Sequence, residues 1–174
     1  MLKLALQYKD ELLAKYINTW MNERFMYYHD SWYSELCIAD NTWDKHQFVS
    51  VNDNNEVVGF IHYKVYRNTN DCDSLGIIGF SDNVLDRTCF GMDVGTAITD
   101  IFEKFRFRKL SFSVVIGNPI ESTYDRLVEK YGGRIVGTQK KEVKLVDGEY
   151  YDSKLYEILA SDYFNTCNER RLKK

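Results

Sequence analysis

The hydrophobic and polar positions of this chain follow two periods, one of two residues and one near 3.6, and the changes between them mark its elements. Leu2, Leu4 and Leu6 alternate with Lys3, Ala5 and Gln7, which predicts a half-buried first strand. Asp10 can cap a following helix whose Leu13, Tyr16, Ile17 and Trp20 share a face. The pattern then becomes irregular and aromatic: Phe25, Tyr27, Tyr28, His29, Trp32, Tyr33 and Trp43 either fill a core or line a concave site. Residues 48–51 and 57–66 are β-rich and flank a polar turn at residues 52–56. Residues 74–81 (SLGIIGFS) are apolar enough for a central strand buried on both faces. Gly76 and Gly79 weaken that strand on propensity, so a bulge, an approaching ligand or a closely packed neighbour has to account for them.

The strongest periodicity lies in residues 90–107 (FGMDVGTAITDIFEKFRF). Val94, Ala97, Ile98, Ile101, Phe102 and Phe105 form one helical stripe, and Thr99, Asp100, Glu103, Lys104 and Arg106 take the other face. This predicts a glycine-bearing turn running into an amphipathic helix, whose first free N–H groups and positive dipole end suit an anion. Leu110, Phe112, Val114 and Ile116 then alternate as a strand, so the helix is the crossover of a βαβ unit and its flanking strands are parallel. Asn118, Pro119 and Glu121 mark the next helix start. Its face of Ile120, Tyr124, Leu127, Val128 and Tyr131 runs to Gly132-Gly133. Residues 134–146 and 150–159 close the chain as a hairpin around Asp147-Gly148.

Composition narrows the classes. The 174 residues, 44% of them hydrophobic with a single proline, support one ordinary core and no long linker. The expected organisation is one domain over residues 1–160, then an extension over residues 161–174 that is basic at its end (Arg170, Arg171, Lys173, Lys174). A net charge of −3 with interleaved signs argues against nucleic acid as a partner. Cys37, Cys72, Cys89 and Cys167 form no CxxC pair, and His29, His46 and His62 lack metal-ligand spacing. The N-terminal run is too short and too soon charged for a signal peptide, and no window approaches a membrane span. The expectation is a reduced, metal-free cytoplasmic protein.

The order of elements and three local patterns resemble the GNAT superfamily of N-acetyltransferases over residues 2–159. The patterns are Val94-Gly95-Thr96-Ala97-Ile98 at a helix start, Ile116-Gly117-Asn118-Pro119 after the next strand, and residues 124–137 followed by Gly148-Glu149-Tyr150-Tyr151-Asp152. The resemblance implies an α/β (α+β) fold: a mixed, mostly antiparallel sheet with one splayed parallel pair and helices on both faces. It implies acetyl-CoA as co-substrate, with no metal. The diphosphate would lie on the turn at Gly91, Val94, Gly95 and Thr96, and the pantetheine arm along the backbone of Gly79, Phe80 and Ser81, with Asn118 as an amide ligand or simply a helix cap. Against the family's pattern of Arg or Gln, two residues, Gly, one residue, Gly or Ala, this chain has Phe90 and Asp93 at the first two marked positions. A carboxylate about 5 Å from a phosphate costs on the order of 3 kcal/mol at an effective dielectric near 20. Asp93 is therefore read as a helix N-cap, with Gly91 able to restore the turn in a shifted register.

The implied reaction is transfer of acetyl to a primary amine by direct attack on the thioester. Tyr124 would return a proton to the thiolate, unless it is ordinary core on its helix's apolar face. Asp82 is the first candidate for general base, with Glu35 and His29 behind it. Tyr28, His29 and Trp32 are the expected acceptor-side residues. Asp30, Asp40, Asp44 and Asp82 would suit a cationic small-molecule or peptide amine. The closing hairpin or the tail after Ala160 leaves room for a homodimer. The competing reading is a non-catalytic module of the same fold that binds a protein partner or retained CoA.

Overall fold

The structure, a computed structural model, describes residues 1–19, 22–27, 38 and 43–172. The chain runs β1 (Leu2–Leu4), a 3-10 turn (Ala5–Tyr8), α1 (Lys9–Ile17), β2 (Lys45–Val51), β3 (Val57–Tyr66), β4 (Asp71–Gly79) and α2 (Val84–Thr99). It continues through β5 (Lys109–Val115), α3 (Glu121–Tyr131), β6 (Arg134–Lys144), β7 (Tyr150–Leu159) and α4 (Ala160–Leu172). Seven strands form one sheet in the order β1-β2-β3-β4-β5-β7-β6. Every neighbouring pair is antiparallel except β4 and β5. The mixed sheet with one parallel pair is the architecture that the GNAT resemblance implies.

Alternation along the strands sorts the two faces. Ile61, Tyr63, Leu75, Ile77, Phe112 and Tyr156 point to one side and join a core with the buried stripe Val94, Ala97, Ile98, Ile101 and Phe102 of α2. Tyr124, Leu127, Val128 and Tyr131 of α3 complete that core, and Tyr163 of α4 enters it. The other face packs Val49, Phe60 and Ile78 against Leu12 and Tyr16 of α1. The segment after β7 forms a helix that packs on the core, because Tyr163 stacks on Phe102 at 4.7 Å and on Tyr131 at 5.8 Å, while Arg170 and Arg171 near its end are exposed.

Three predicted boundaries move. The first strand stops at Leu4, where the chain turns so that Ala5 is buried and Leu6 is left largely exposed. The central strand starts earlier, at Asp71, and carries a bulge at Ser74 and Leu75, two residues past the last one that pairs with β5. Ser74 holds φ +57° and its N–H bonds the Asp73 carboxylate at 2.6 Å. The third change is the largest. Residues 84–99 are continuous helix, capped by Asn83 through the Leu85 N–H at 2.8 Å, so the expected turn at Phe90–Gly95 lies inside α2.

Phe90 shows why the helix sits where it does. Its ring covers Gly59 of β3 and Gly79 of β4, and a Cβ on Gly59 would lie 2.3 Å from the ring. Gly59→Ala should therefore cost roughly 1–3 kcal/mol in urea unfolding. Combining it with Phe90→Ala should cost clearly less than the sum of the single changes; simple additivity would show that the ring does not press on this strand.

Candidate functional site

β4 and β5 pair at only two positions, Asp71 with Lys109 and Cys72 with Leu110, and then part. The gap between them is a cavity of about 110 Å³ lined by Leu75, Gly76 and Ile77 of β4 and Ser113, Val114 and Val115 of β5. Tyr124 and Asn118 close one side, and Tyr27, Val143 and Ser153 complete the lining. Beyond Cys72 and Leu110 the two strands no longer pair with each other. An extended chain bearing amide groups can bond along a strand edge as an added strand would.

Tyr124 reaches this gap from α3, and its hydroxyl donates to the Leu75 carbonyl at 3.1 Å. The ring is buried, edge-on to Phe112 at 4.9 Å and to Tyr156 at 6.0 Å. The ring is core, as its place on the helix's apolar face suggests, and its hydroxyl lies at the slot. Beneath it, Lys154 of β7 binds Asp125 at 2.7 Å and Glu121 at 3.1 Å, and the Tyr156 hydroxyl donates to Asp125 at 2.8 Å. The hydrogen bond to Asp125 holds the Lys154 ammonium above its usual range, and burial raises the Tyr156 phenol. This network ties the first turn of α3 to β7 and so fixes where Tyr124 points.

Asn118 is a turn-former as well as a lining residue. Its side chain accepts from the Ile120 N–H at 3.1 Å, while Glu121 reaches back to the Gly117 N–H at 3.0 Å. Gly117 is needed here, with φ +94° and the Tyr27 hydroxyl 3.3 Å from where a Cβ would be. Tyr27 belongs to the aromatic segment expected to wall a pocket, but its reach to Gly117 depends on a fold-back that no local pattern encodes. Tyr28, His29, Trp32 and Glu35 lie outside the described residues.

The other predicted site residues are placed differently. Gly91, Val94, Gly95 and Thr96 stand within α2, where backbone N–H groups serve the helix. Val94 is buried in the core, Gly95 lets α2 approach the Tyr131 hydroxyl, and the Thr96 hydroxyl bonds the Met92 carbonyl at 3.1 Å. The Phe80 N–H is committed to the Val58 carbonyl at 2.9 Å. Ser81 donates its hydroxyl to Asp86 at 2.6 Å. That bond, with a second from Asn52, keeps the Asp86 carboxyl below the usual range. Asp82 is an exposed carboxylate paired with Arg24 at 2.6 Å, away from the cavity lining. With Asp82 and Asp86 beside it and Leu85 already capped, the first turn of α2 does not fit a diphosphate.

Asp93 is not an N-cap. It is buried ten residues inside the cap, where it accepts from the Ser50 hydroxyl at 2.6 Å and lies 3.0 Å from the Met1 amino group. The residue that looked most damaging for anion binding is instead a clamp between α2 and β2.

Comparison with solved structures gives the same fold. A chimera of the spermidine N-acetyltransferase SpeG from Vibrio cholerae and hSSAT is 21% identical, with a TM-score of 0.68 over 95% of this chain and 99% of that one. A GCN5-related N-acetyltransferase from Brucella melitensis is 16% identical, with a TM-score of 0.70 over 95% and 77%. A probable acetyltransferase of the GNAT family from Chromobacterium violaceum is 14% identical, with a TM-score of 0.69 over 94% and 87%. No protein-family model and no curated protein matches the chain. The chain has the GNAT fold, and its structural neighbours are GNAT-family N-acetyltransferases across about 95% of its length. No helix among the described residues is long and apolar enough to cross a membrane.

One titratable group near the slot escaped sequence reasoning. His62 of β3 pairs across the strands with Gly76, which lines the cavity, and its ring stacks on Phe60 at 5.2 Å. Burial, with Lys64 and Lys45 adding to it, pushes its pKa down to about 4. The unfolded chain therefore takes up this proton near pH 6.5 and the folded chain only near pH 4, so stability falls as pH drops through that window. The loss is at most about 3 kcal/mol, and His62→Gln should flatten the slope of unfolding free energy between pH 6.5 and 4. An unchanged slope would place the acid sensitivity elsewhere.

Proposed function

We propose that the protein is an N-acetyltransferase that moves an acetyl group from acetyl-CoA to a primary amine. The observation that carries this reading is the Tyr124 hydroxyl on the Leu75 carbonyl, in the cavity between the parted strands β4 and β5 where the thioester end of an extended donor would lie. In the reaction the neutral amine nitrogen bonds the thioester carbonyl carbon and the carbon–sulfur bond breaks. Tyr124 gives its proton to the departing thiolate, and the surplus proton of the new amide nitrogen leaves through water. The coarser class, an acetyltransferase of GNAT fold, is supported by neighbours that share that name. A cationic acceptor is the narrower suggestion, since the SpeG structures are spermidine enzymes by name.

A second reading rests on a separate observation. Asp82, just before the helix cap, and Asp86, in the first turn of α2, stand where a phosphate-binding turn would be expected, which favours a module that keeps the fold without turnover. If transfer does occur, the slot and not that turn carries donor binding, so the Michaelis constant for acetyl-CoA should be high.

The two readings separate in a thiol-release assay with acetyl-CoA against spermidine, an aminoglycoside and a lysine peptide. Turnover should be seen with at least one of them, and Tyr124→Phe should lower kcat about 100-fold with little change in Michaelis constant. Absence of turnover with every amine, alongside absence of acetyl-CoA binding by calorimetry, would leave the non-catalytic reading. Turnover unaffected by Tyr124→Phe would remove the tyrosine from the chemistry.

A further inference from the structure

A second and larger concavity, about 550 Å³, lies where the C-terminal helix meets the end of α2. It is at the end of the sheet where β4 and β5 still pair, whereas the slot is at the end where they have parted. The volume is that of small-molecule sites in general. Phe102, Phe107 and Ala160 give it an apolar floor, and the partly exposed ring of Phe164 forms a wall.

Charge is distributed unevenly around this apolar floor. Arg106, Arg108 and Arg171 line the groove against a single carboxylate, Glu103. Arg108 is already paired with Asp71 at 2.8 Å, and Glu103 accepts from the Tyr163 hydroxyl at 2.8 Å. Arg106 and Arg171 take part in no ion pair among the described residues. Two guanidinium groups without a carboxylate partner beside exposed apolar surface call for an anion with an apolar body.

The backbone around Arg106 is also unusual and well held. α2 ends in a π-helical turn over Asp100–Lys104, with the Phe105 N–H on the Asp100 carbonyl at 2.8 Å and the Phe107 N–H on the Ile101 carbonyl at 3.0 Å. Arg106 then takes φ +58°, a left-handed conformation that a glycine or asparagine would adopt more easily. Asn70 fastens the corner from outside: its side chain bonds the Arg106 carbonyl at 3.0 Å and its own carbonyl takes the Arg108 N–H at 2.8 Å. The left-handed residue and the bond from Phe107 to Ile101 cap the helix end, and π-turns such as this one are frequent at functional sites.

We propose that this groove binds a small organic anion with an apolar body, its head between Arg106 and Arg171 and its body against the exposed ring of Phe164, over a floor closed by the buried rings of Phe102 and Phe107. Medium-chain carboxylates are the simplest members of that class. The test is calorimetric titration of the full chain with decanoate, decanol and inorganic phosphate, repeated on an Arg106→Asn/Arg171→Gln variant and on Phe164→Ala. Asparagine suits the left-handed corner, and both arginines are exposed, so circular dichroism should show the variants folded. Decanoate should bind saturably and at least tenfold more tightly than decanol or phosphate. The double variant should lose at least tenfold for decanoate with decanol unchanged, and Phe164→Ala should weaken both. No saturable decanoate binding, equal affinity for decanol or phosphate, or a double variant that binds decanoate like the wild type would each overturn the proposal.

Discussion

Two strands that start parallel and then separate set the plan of this protein. The pairing of β4 with β5 ends at Cys72, and the left-handed bulge at Ser74 follows at once, redirecting β4 while β5 stays paired along its length with β7. A bulge bends and twists its strand more strongly than regular pairing allows. The gap that results would expose backbone and apolar side chains, and the aromatic stack of Phe112, Tyr124 and Tyr156 supports it from below. The polar network on Lys154 holds that stack in place from the sheet side. The Tyr124 ring is held by packing on one side and by charge pairing on the other.

α2 governs the other half of the candidate site. Its start at Val84 places Phe90 over Gly59 and Gly79, and Asp93 over Ser50, so the helix is clamped to the sheet at points where a shorter helix would leave a turn. Carboxylates at Asp82 and Asp86 then occupy the mouth of the helix. The turn that the resemblance implies around residues 91–96 is helix in this chain. On the proposed reading, donor binding therefore rests on the slot and not on the helix terminus.

The residue pattern made much of this legible. The stripe from Val94 to Phe102 is buried as its period requires, Gly132 ends α3 in the left-handed region, and Asn118 with Glu121 opens it. The start of α2 was not legible, because Gly91 and Gly95 read as turn residues while the actual cap, Asn83, lies in a stretch with little helical periodicity. Gly95 serves helix packing against Tyr131, a tertiary role that local propensity cannot distinguish from a turn. Asp93 was misread for the same reason: a buried carboxylate and an N-cap look alike until its partner, Ser50, is brought across from a distant strand. The parting of β4 and β5 was expected as a splayed pair, but the position of its bulge is set by tertiary pairing.

The most direct measurement is amide hydrogen exchange of the full chain with and without saturating acetyl-CoA. Binding in the slot predicts slowed exchange in residues 75–79 of β4 and 113–115 of β5, with residues 91–96 of α2 unchanged. No slowing along β4, or protection centred on residues 91–96, would contradict the slot as the acyl-donor site.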